Sequence, residues 1–484
     1  MIKTCKILCL VLGFGNVFAQ SNWSKTLPNI GTMSSPKVTD LNGDGIGDII
    51  LGAGKNEFEY SDSAVVALDG RNGDLLWRNS ARDQMFISAG LLDITKDGVK
   101  DVIVGGRSSE FLAINGSNGQ TLWRFDTLKY SENGKKRWFN FYNPQIIDDQ
   151  DGDGIEDILV ANGGDIWVLP HDPKRATGRI VVISAKTGKL LAEAMMPDGK
   201  EIYMSVAALK VKDDYRIIFG TGGETVGGNL FVGNLKSVMR GDLSASIKLA
   251  TRANKGFIAP PVWVEITGDS TPDIVVNSVD GSILAFDGKT LKPIWNKQFA
   301  GTEAYSSSAV GYFTDDNIPD FFVSYAQGTW PNLTWTKQFM VNGKNGNVEF
   351  SDSLGFYQTS SPVVADVNGD GRDEAILSIN YQVKDSLNRK TFFNTLMVVE
   401  FGAKETVQLI DGLEGHNISS TPWIGDLDND KMLDIVFCHS NNKKKTYAFD
   451  GLQINCLKTT IPITKPVQWG AYMGSESDGI FREN

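Results

Sequence analysis

Nine-residue stretches rich in hard oxygen donors recur along this chain. The first reads Asp40-Leu-Asn42-Gly-Asp44-Gly45-Ile46-Gly-Asp48. Side chains at its first, third, fifth and ninth positions, with the Ile46 carbonyl, could supply most of the roughly six to eight oxygens that Ca²⁺ takes. The glycine after the fifth position permits the sharp bend. Equivalent sets are Asp93, Thr95, Asp97, Val99 and Asp101; Asp149, Asp151, Asp153, Ile155 and Asp157; Asp366, Asn368, Asp370, Arg372 and Glu374; and Asp426, Asp428, Asp430, Met432 and Asp434. A weaker set is Glu265, Thr267, Asp269 and Asp273, with Ser270 where glycine is usual; a degenerate one has Tyr312 first, then Asp316 and Asp320. An EF-hand would need a glutamate at the twelfth position and a following helix. The twelfth residue here is Leu51, and Ile49-Ile-Leu reads as a strand. Mg²⁺ suits such a cage poorly because it keeps its waters. Repetition favours structural calcium over a single catalytic ion.

These turns must sit between strands. The loop starts are spaced by 47 to about 62 residues. After each loop strand comes a second pattern, as in Val65 to Trp77 and Phe111 to Trp123: strand, Asn-Gly or related turn, strand. One unit is four antiparallel strands, here lettered a to d, with the oxygen-rich turn between a and b. A four-stranded unit recurring at this period predicts an all-β propeller. We count eight blades, with seven as the alternative; Val206 to Gly223 supplies the strands of a unit whose turn has lost the motif. Asn22 to Leu27 resembles a d strand that could close the ring, whereas Gln468 to Gly474 is surplus.

Composition agrees. Of 484 residues, 51 are glycine and 10% aromatic, as many tight turns between bulky strands require. The net charge of −11 resides largely in the turns, and no basic face suits a phosphate backbone, which argues against nucleic acid. Lys3, Lys6, the apolar run from Ile7 to Phe14 and Ala19 predict a signal peptide over 1–19. The remainder, 20–484, is expected to be one exported propeller domain in the periplasm, on the cell surface or outside the cell, with no membrane span. Cys5 and Cys9 fall in the leader; Cys438 and Cys456 share one repeat, where either a disulfide or two thiols would fit.

The loop-strand half resembles the FG-GAP repeats of integrin α-chain propellers. The half around Asp69-Gly-Arg-Asn-Gly-Asp-Leu-Leu-Trp77 resembles the tryptophan-docking repeats of quinoprotein propellers. The resemblance implies a calcium-bearing scaffold, but such scaffolds host many activities. PQQ is not expected, because no adjacent cysteine pair is present and the chain is shorter than those catalytic domains.

In such a meander the a–b and c–d turns share one face, and the b–c loops and d–a connections share the other. The second face receives the long, irregular loops, where binding residues concentrate. Candidates there are Tyr142, Tyr203, Glu224, Phe257, Glu303, Tyr305, Trp330, Tyr357 and His416. Phe86, Tyr142, Tyr203, Phe257, Tyr305 and Tyr357 could form a collar at a channel mouth or pack between blades. The reading favoured is a non-enzymatic module for a glycan or protein ligand. The alternative is a lyase of acidic polysaccharides, for which His171 with Arg175, or Tyr203 with Lys255, are the candidate base and cation. A quinoprotein-type dehydrogenase ranks below both.

Overall fold

A computed structural model describes residues 23–131, 138–172, 174–356 and 359–482. The leader over 1–19, with Cys5 and Cys9, and Tyr357 lie outside the described residues.

The strands form eight antiparallel sheets of four or five strands. Blade 1 comprises Lys37–Thr39, Asp48–Gly52, Ser61–Leu68 and Leu75–Ala81; blade 2 begins with Gly90–Leu92 and Asp101–Gly105. Blades 3 to 7 have their b strands at Asp157–Gly163, Asp214–Gly220, Asp273–Ser278, Asp320–Thr329 and Glu374–Lys384. Blade 8 consists of Trp423–Gly425, Met432–Ser440 and Gly451–Pro462, completed by Trp23–Pro28. That N-terminal strand lies antiparallel to Gly451–Pro462, from Trp23 opposite Cys456 to Pro28 opposite Gly451. The first and last parts of the chain therefore share a sheet and close the ring.

The b strands of blades 1, 2, 3 and 5 are buried along their whole length, as in Asp48–Gly52 and Asp273–Ser278. Each blade packs both faces on neighbours, so apolar runs replace strict alternation. In blades 1, 2, 3, 5 and 6 the register shifts by one residue at the end of strand c, as at Ala67/Leu68 and Ala113/Ile114. These bulges turn the chain into the c–d hairpin.

Blade 4 is real but altered. Its a–b connection shrinks to Lys212-Asp213, with Val211 paired to Asp214 and Lys212 at φ 55°. Its c–d connection holds a short helix, Leu235–Met239, whose first turn is capped by Asn234 accepting from Ser237 N at 2.8 Å. A reading that expected strands alone missed this helix. Cys438 and Cys456 are free buried thiols. Cys456 faces Val436 and Cys438 faces Ile454, so the two are offset along adjacent strands.

The surplus C-terminal segment crosses the axis on the inner strands. Val364 N donates to Trp469 O at 2.9 Å, Ile424 N to Gly470 O at 2.7 Å, and Trp263 N to Gly479 O at 2.8 Å. Trp469 is buried. The chain thus plugs its own channel, touching blades 7, 8 and 5 in turn.

Candidate functional site

The oxygen-rich turns divide their labour. The ninth-position carboxylate points inward and holds backbone. Asp101 Oδ2 accepts from Ile94 N and Thr95 N, both at 2.9 Å, and its Oδ1 accepts from Gly116 N in the c–d turn at 3.0 Å. Asp48 takes Leu41 N at 2.8 Å and Gly70 N at 3.0 Å; Asp157 takes Gln150 N and Ala185 N; Asp273 takes Ile266, Thr267 and Gly288 N. Glu374 and Asp434 accept from Val367 N and Leu427 N. In the degenerate turn, Asp320 accepts from Gly343 N at 2.9 Å. This carboxylate fastens the a–b turn, and in most blades the c–d turn as well, a role the sequence reading did not foresee.

The outer positions shape the loop. Asp40 accepts from Gly43 N and Gly45 N, and Asp44 from Ile46 N. Asp93 and Asp97 repeat this with Gly98 N and Val99 N, Asp366 and Asp370 with Gly371 N and Arg372 N, and Asp426 and Asp430 with Lys431 N and Met432 N. Glu265 accepts from Thr267 N and Gly268 N, and Asp269 from Thr271 N. In two turns three carboxylates converge: oxygens of Asp149, Asp151 and Asp153, and of Asp426, Asp428 and Asp430, lie within 4.8 Å of one another. Such a set fits a hard divalent cation. Asp428 Oδ1, Asp434 Oδ1 and Glu265 Oε2 are buried without a hydrogen-bond partner, a costly state that a cation would relieve.

Basic side chains compete for some turns. Lys458 Nζ bonds Asp428 in blade 8, Arg71 pairs with Asp44 at 3.0 Å, and Lys289 with Asp269 at 3.5 Å. Among the described residues, Asp149, Asp151 and Asp153 of blade 3 carry no ion pair. Burial pushes the Asp48 and Asp157 carboxyls up to about 6, those of Asp320 and Asp434 to about 7, and that of Glu374 to about 8. Each therefore sits where added positive charge is favourable.

The tryptophans clasp neighbouring blades. Trp77 Nε1 donates to Gly116 O at 2.6 Å, Trp123 to Ala185 O at 2.7 Å, Trp295 to Gly343 O at 2.7 Å, and Trp23 to Gly70 O at 2.8 Å. A Cβ on Gly119, at φ +74°, would meet Trp77 at 2.7 Å, so only glycine lets the indole lie there.

On the opposite face the predicted candidates meet, but mostly bond one another. Arg175 Nε pairs with Glu201 Oε2 at 2.5 Å, and its Nη2 donates to Tyr203 Oη at 2.7 Å; its other N–H groups go to carbonyls of Asp165, Val168 and Leu169. Lys255 Nζ donates to Glu224 O at 2.9 Å and pairs with Glu303, whose Oε2 accepts from Tyr305 Oη at 2.6 Å and Trp330 N at 3.0 Å. These links join b–c loops to d–a connections of adjacent blades. The two groups of loops therefore do share one face.

The collar is partly realised. Phe86, Tyr142 and Tyr203 stand edge to face in series, at 5.9 and 6.3 Å between centroids. Tyr142, Phe257 and His416 are buried, with His416 edge-on to Phe392 at 5.6 Å. They are packed among neighbouring side chains. Burial, helped by the Glu201 charge, holds the Tyr203 phenol well above its usual range, so it stays protonated. Tyr203 and Lys255 belong to different networks, and His171 is exposed.

Around the axis, blade-to-blade hydrogen bonds link the starts of the a strands. Ser35 N donates to Ser88 Oγ, Ser88 N to Asn143 Oδ1, and Asn143 N to Ser205 Oγ. Ser307 N donates to Ser361 Oγ, Ser361 N to Thr421 Oγ1, and Thr421 N to Ser35 Oγ. The ring breaks at blade 5, where Pro260 has no N–H; there Ser307 Oγ donates to Pro260 O. The Ser/Pro-rich strand starts were visible in the sequence, but not that they bond in a circle.

Comparison with known proteins fits this geometry. Residues 23–370 match the model of the FAM234A/B beta-propeller. Human protein FAM234B is 22% identical over 390 residues, 72% of this chain and 57% of that protein. Human protein FAM234A is 24% identical over 288 residues, 54% of this chain and 49% of that protein. The chain spans about half the length of the curated relatives it matches. Among solved structures, a europium-containing methanol dehydrogenase superposes with TM-score 0.58 at 11% identity, covering 90% of this chain and 92% of that one. A quinohemoprotein alcohol dehydrogenase, ADHIIG from Pseudomonas putida HK5, gives 0.57 at 12% identity, covering 92% and 77%. At such identity the likeness is of fold. The chain belongs to the FAM234A/B beta-propeller family.

Proposed function

We propose that this FAM234-family propeller is an exported, non-enzymatic binding module that takes a protein partner on its loop-rich face, with Ca²⁺ as structural pins in its FG-GAP-like turns. One observation carries the reading. Arg175, Glu201, Lys255 and Glu303 on that face are consumed in links between loops, while apolar side chains beside them stand in solvent: Trp167 is 72% exposed and Leu169 79%. An adjacent exposed indole and isobutyl group suit the core of a protein contact. A glycan could also stack on Trp167, but gains little from Leu169.

A lyase needs a base that can lose its proton near neutrality beside a cation. Tyr203 is held protonated and Arg175 is fully engaged. The quinoprotein likeness concerns fold and supplies no argument for PQQ. For calcium, the blade 3 turn is the favoured site, since its three carboxylates converge and, among the described residues, none of them is in an ion pair; Lys186 Nζ bonds only the Asp153 carbonyl, at 3.1 Å.

The test compares the intact chain with a Trp167→Ala/Leu169→Asp double variant as bait for envelope proteins of the source cell. A partner kept by the first and lost by the second supports the module. An identical set on both baits contradicts it. A rise in ultraviolet absorbance on adding uronate polysaccharides would establish the lyase instead.

A further inference from the structure

Blade 7 carries a ribbon that outgrows its sheet. Its b and c strands, Glu374–Lys384 and Lys390–Glu400, have 11 residues each, whereas the b strands of blades 1 and 2 have 5. Strand a pairs only at Glu374 to Ile376, and the short segment Leu413–Glu414 pairs at Phe393 and Asn394. Beyond Gln382 the two strands pair only with each other. At about 3.4 Å per residue, the tip stands roughly 10 Å proud of the last flanking pair.

This tip is basic. Lys384 lies directly opposite Lys390, with Arg389 beside it. Like charges facing across a strand pair oppose pairing, so the fold gains nothing from this arrangement. The neighbouring b–c loop of blade 8 adds Lys443, Lys444 and Lys445, all exposed, and Phe392 N donates to Lys443 O at 2.8 Å, joining loop and ribbon. Arg389 pairs with Asp385 and Lys443 with Glu414. Among the described residues, Lys384, Lys390, Lys444 and Lys445 have no ion pair. A chain of net charge −11 thus concentrates four unpaired positive charges on one projection. Between them Leu387 is 71% exposed, with Val383 and Tyr447 also in solvent.

We infer that this ribbon and loop dock the protein on an anionic lipid surface, with the lysines at the headgroups and Leu387 and Val383 reaching the acyl boundary. The composition selects this occupant. Five of the six bases are lysine, a strongly hydrated point charge on a flexible stem, whereas carved protein or sulfate sites favour arginine's planar fork. Clusters of this size are drawn to anionic bilayers by summed, salt-screened attraction. A projecting tip meets a flat surface readily, while a glycan chain asks for a groove. The inference is independent of the protein-binding reading, which concerns the exposed loop of blade 3.

The experiment is vesicle flotation of the full chain at fixed calcium, with neutral phosphatidylcholine and with the same lipid containing phosphatidylglycerol. Binding to the anionic vesicles should exceed binding to neutral ones more than tenfold and fall steeply with salt. Lys384→Glu/Lys390→Glu/Lys444→Glu/Lys445→Glu should abolish it without changing the melting temperature, since all four side chains are exposed. Leu387→Asp should weaken it several-fold. Equal binding to both vesicles, or a quadruple variant that floats like wild type, overturns the inference. So does binding to heparin or alginate with no vesicle binding, which would assign the patch to acidic glycans.

Discussion

Trp77 and Asp101 meet at a single residue: the Trp77 indole donates to Gly116 O at 2.6 Å, while Asp101 accepts from Gly116 N at 3.0 Å. The outer strand of blade 1 is thereby tied, through one turn glycine, to the a–b turn of blade 2. The same relay runs from Trp23 through Gly70 to Asp48, from Trp123 through Ala185 to Asp157, and from Trp295 through Gly343 to Asp320.

If this relay carries cohesion between blades, its members differ in weight. Trp77→Phe should cost about 1–2 kcal/mol, from the lost hydrogen bond and reduced contact, and Trp77→Ala about 3–5 kcal/mol. Gly119→Ala should also destabilise, because its backbone is left-handed and its Cβ meets the indole. Denaturant titration checks the order.

Carboxylates within one turn should separate likewise. Asp101→Ala leaves Thr95 N and Gly116 N without their acceptor, while Ile94 N keeps Leu92 O at 3.0 Å, and should cost about 3 kcal/mol with or without calcium. Asp97→Ala, at an exposed position bonding Val99 N, should cost about 1 kcal/mol or less in chelator and show its larger effect only in calcium. Equal losses from both in chelator would contradict the division of labour.

His439 sets an acid limit. Burial pushes its imidazole down from 6.5 to about 4, with Nδ1 against Ser440 O at 3.0 Å. The unfolded chain binds this proton at higher pH than the folded chain. Stability is therefore lost as pH falls from about 6.5 to about 4, by up to about 3 kcal/mol, and the loss then levels off. His439→Leu should flatten that part of the pH–stability curve relative to wild type, as followed by urea midpoints.

The ninth-position carboxylates act in the opposite sense. Their folded pKa values, about 6 to 8, stand above the usual carboxylate range near 4, so in chelator stability should decline as pH rises from about 4 to those values and then level off. Calcium bound in the turns, as proposed, should remove the decline. Its stabilising effect should be larger at pH 8 than at pH 5, measured by calorimetry.

Much of this was legible in the residues. The period and the Asn-Gly turns pointed to four-stranded blades, eight with seven as the alternative; the structure has eight, and Trp23 closes the ring where a d strand was expected. The ninth-position aspartates were recognised by type, yet their backbone partners Gly70, Gly116 and Gly288 lie 15 to 22 residues away and carry no side-chain signal. The axial plug escaped because Trp469 and Phe481 follow no repeat. The collar was realised only in part because an aromatic before a strand reads the same whether it bonds a loop, as Tyr203 does to Arg175, or fills a seam, as Phe257 and His416 do. Charge pairing across blades, as between Arg175 and Glu201, depends on three-dimensional neighbours that spacing does not reveal.

Thermal unfolding of the intact chain in calcium and in chelator, alongside Asp151→Asn in blade 3, tests the calcium-pinned propeller most directly. The account predicts a melting temperature more than about 5 °C higher in calcium, a gain clearly reduced by Asp151→Asn with no change in its chelator melt. The same melting temperature in both buffers, or an undiminished gain in the variant, would contradict it.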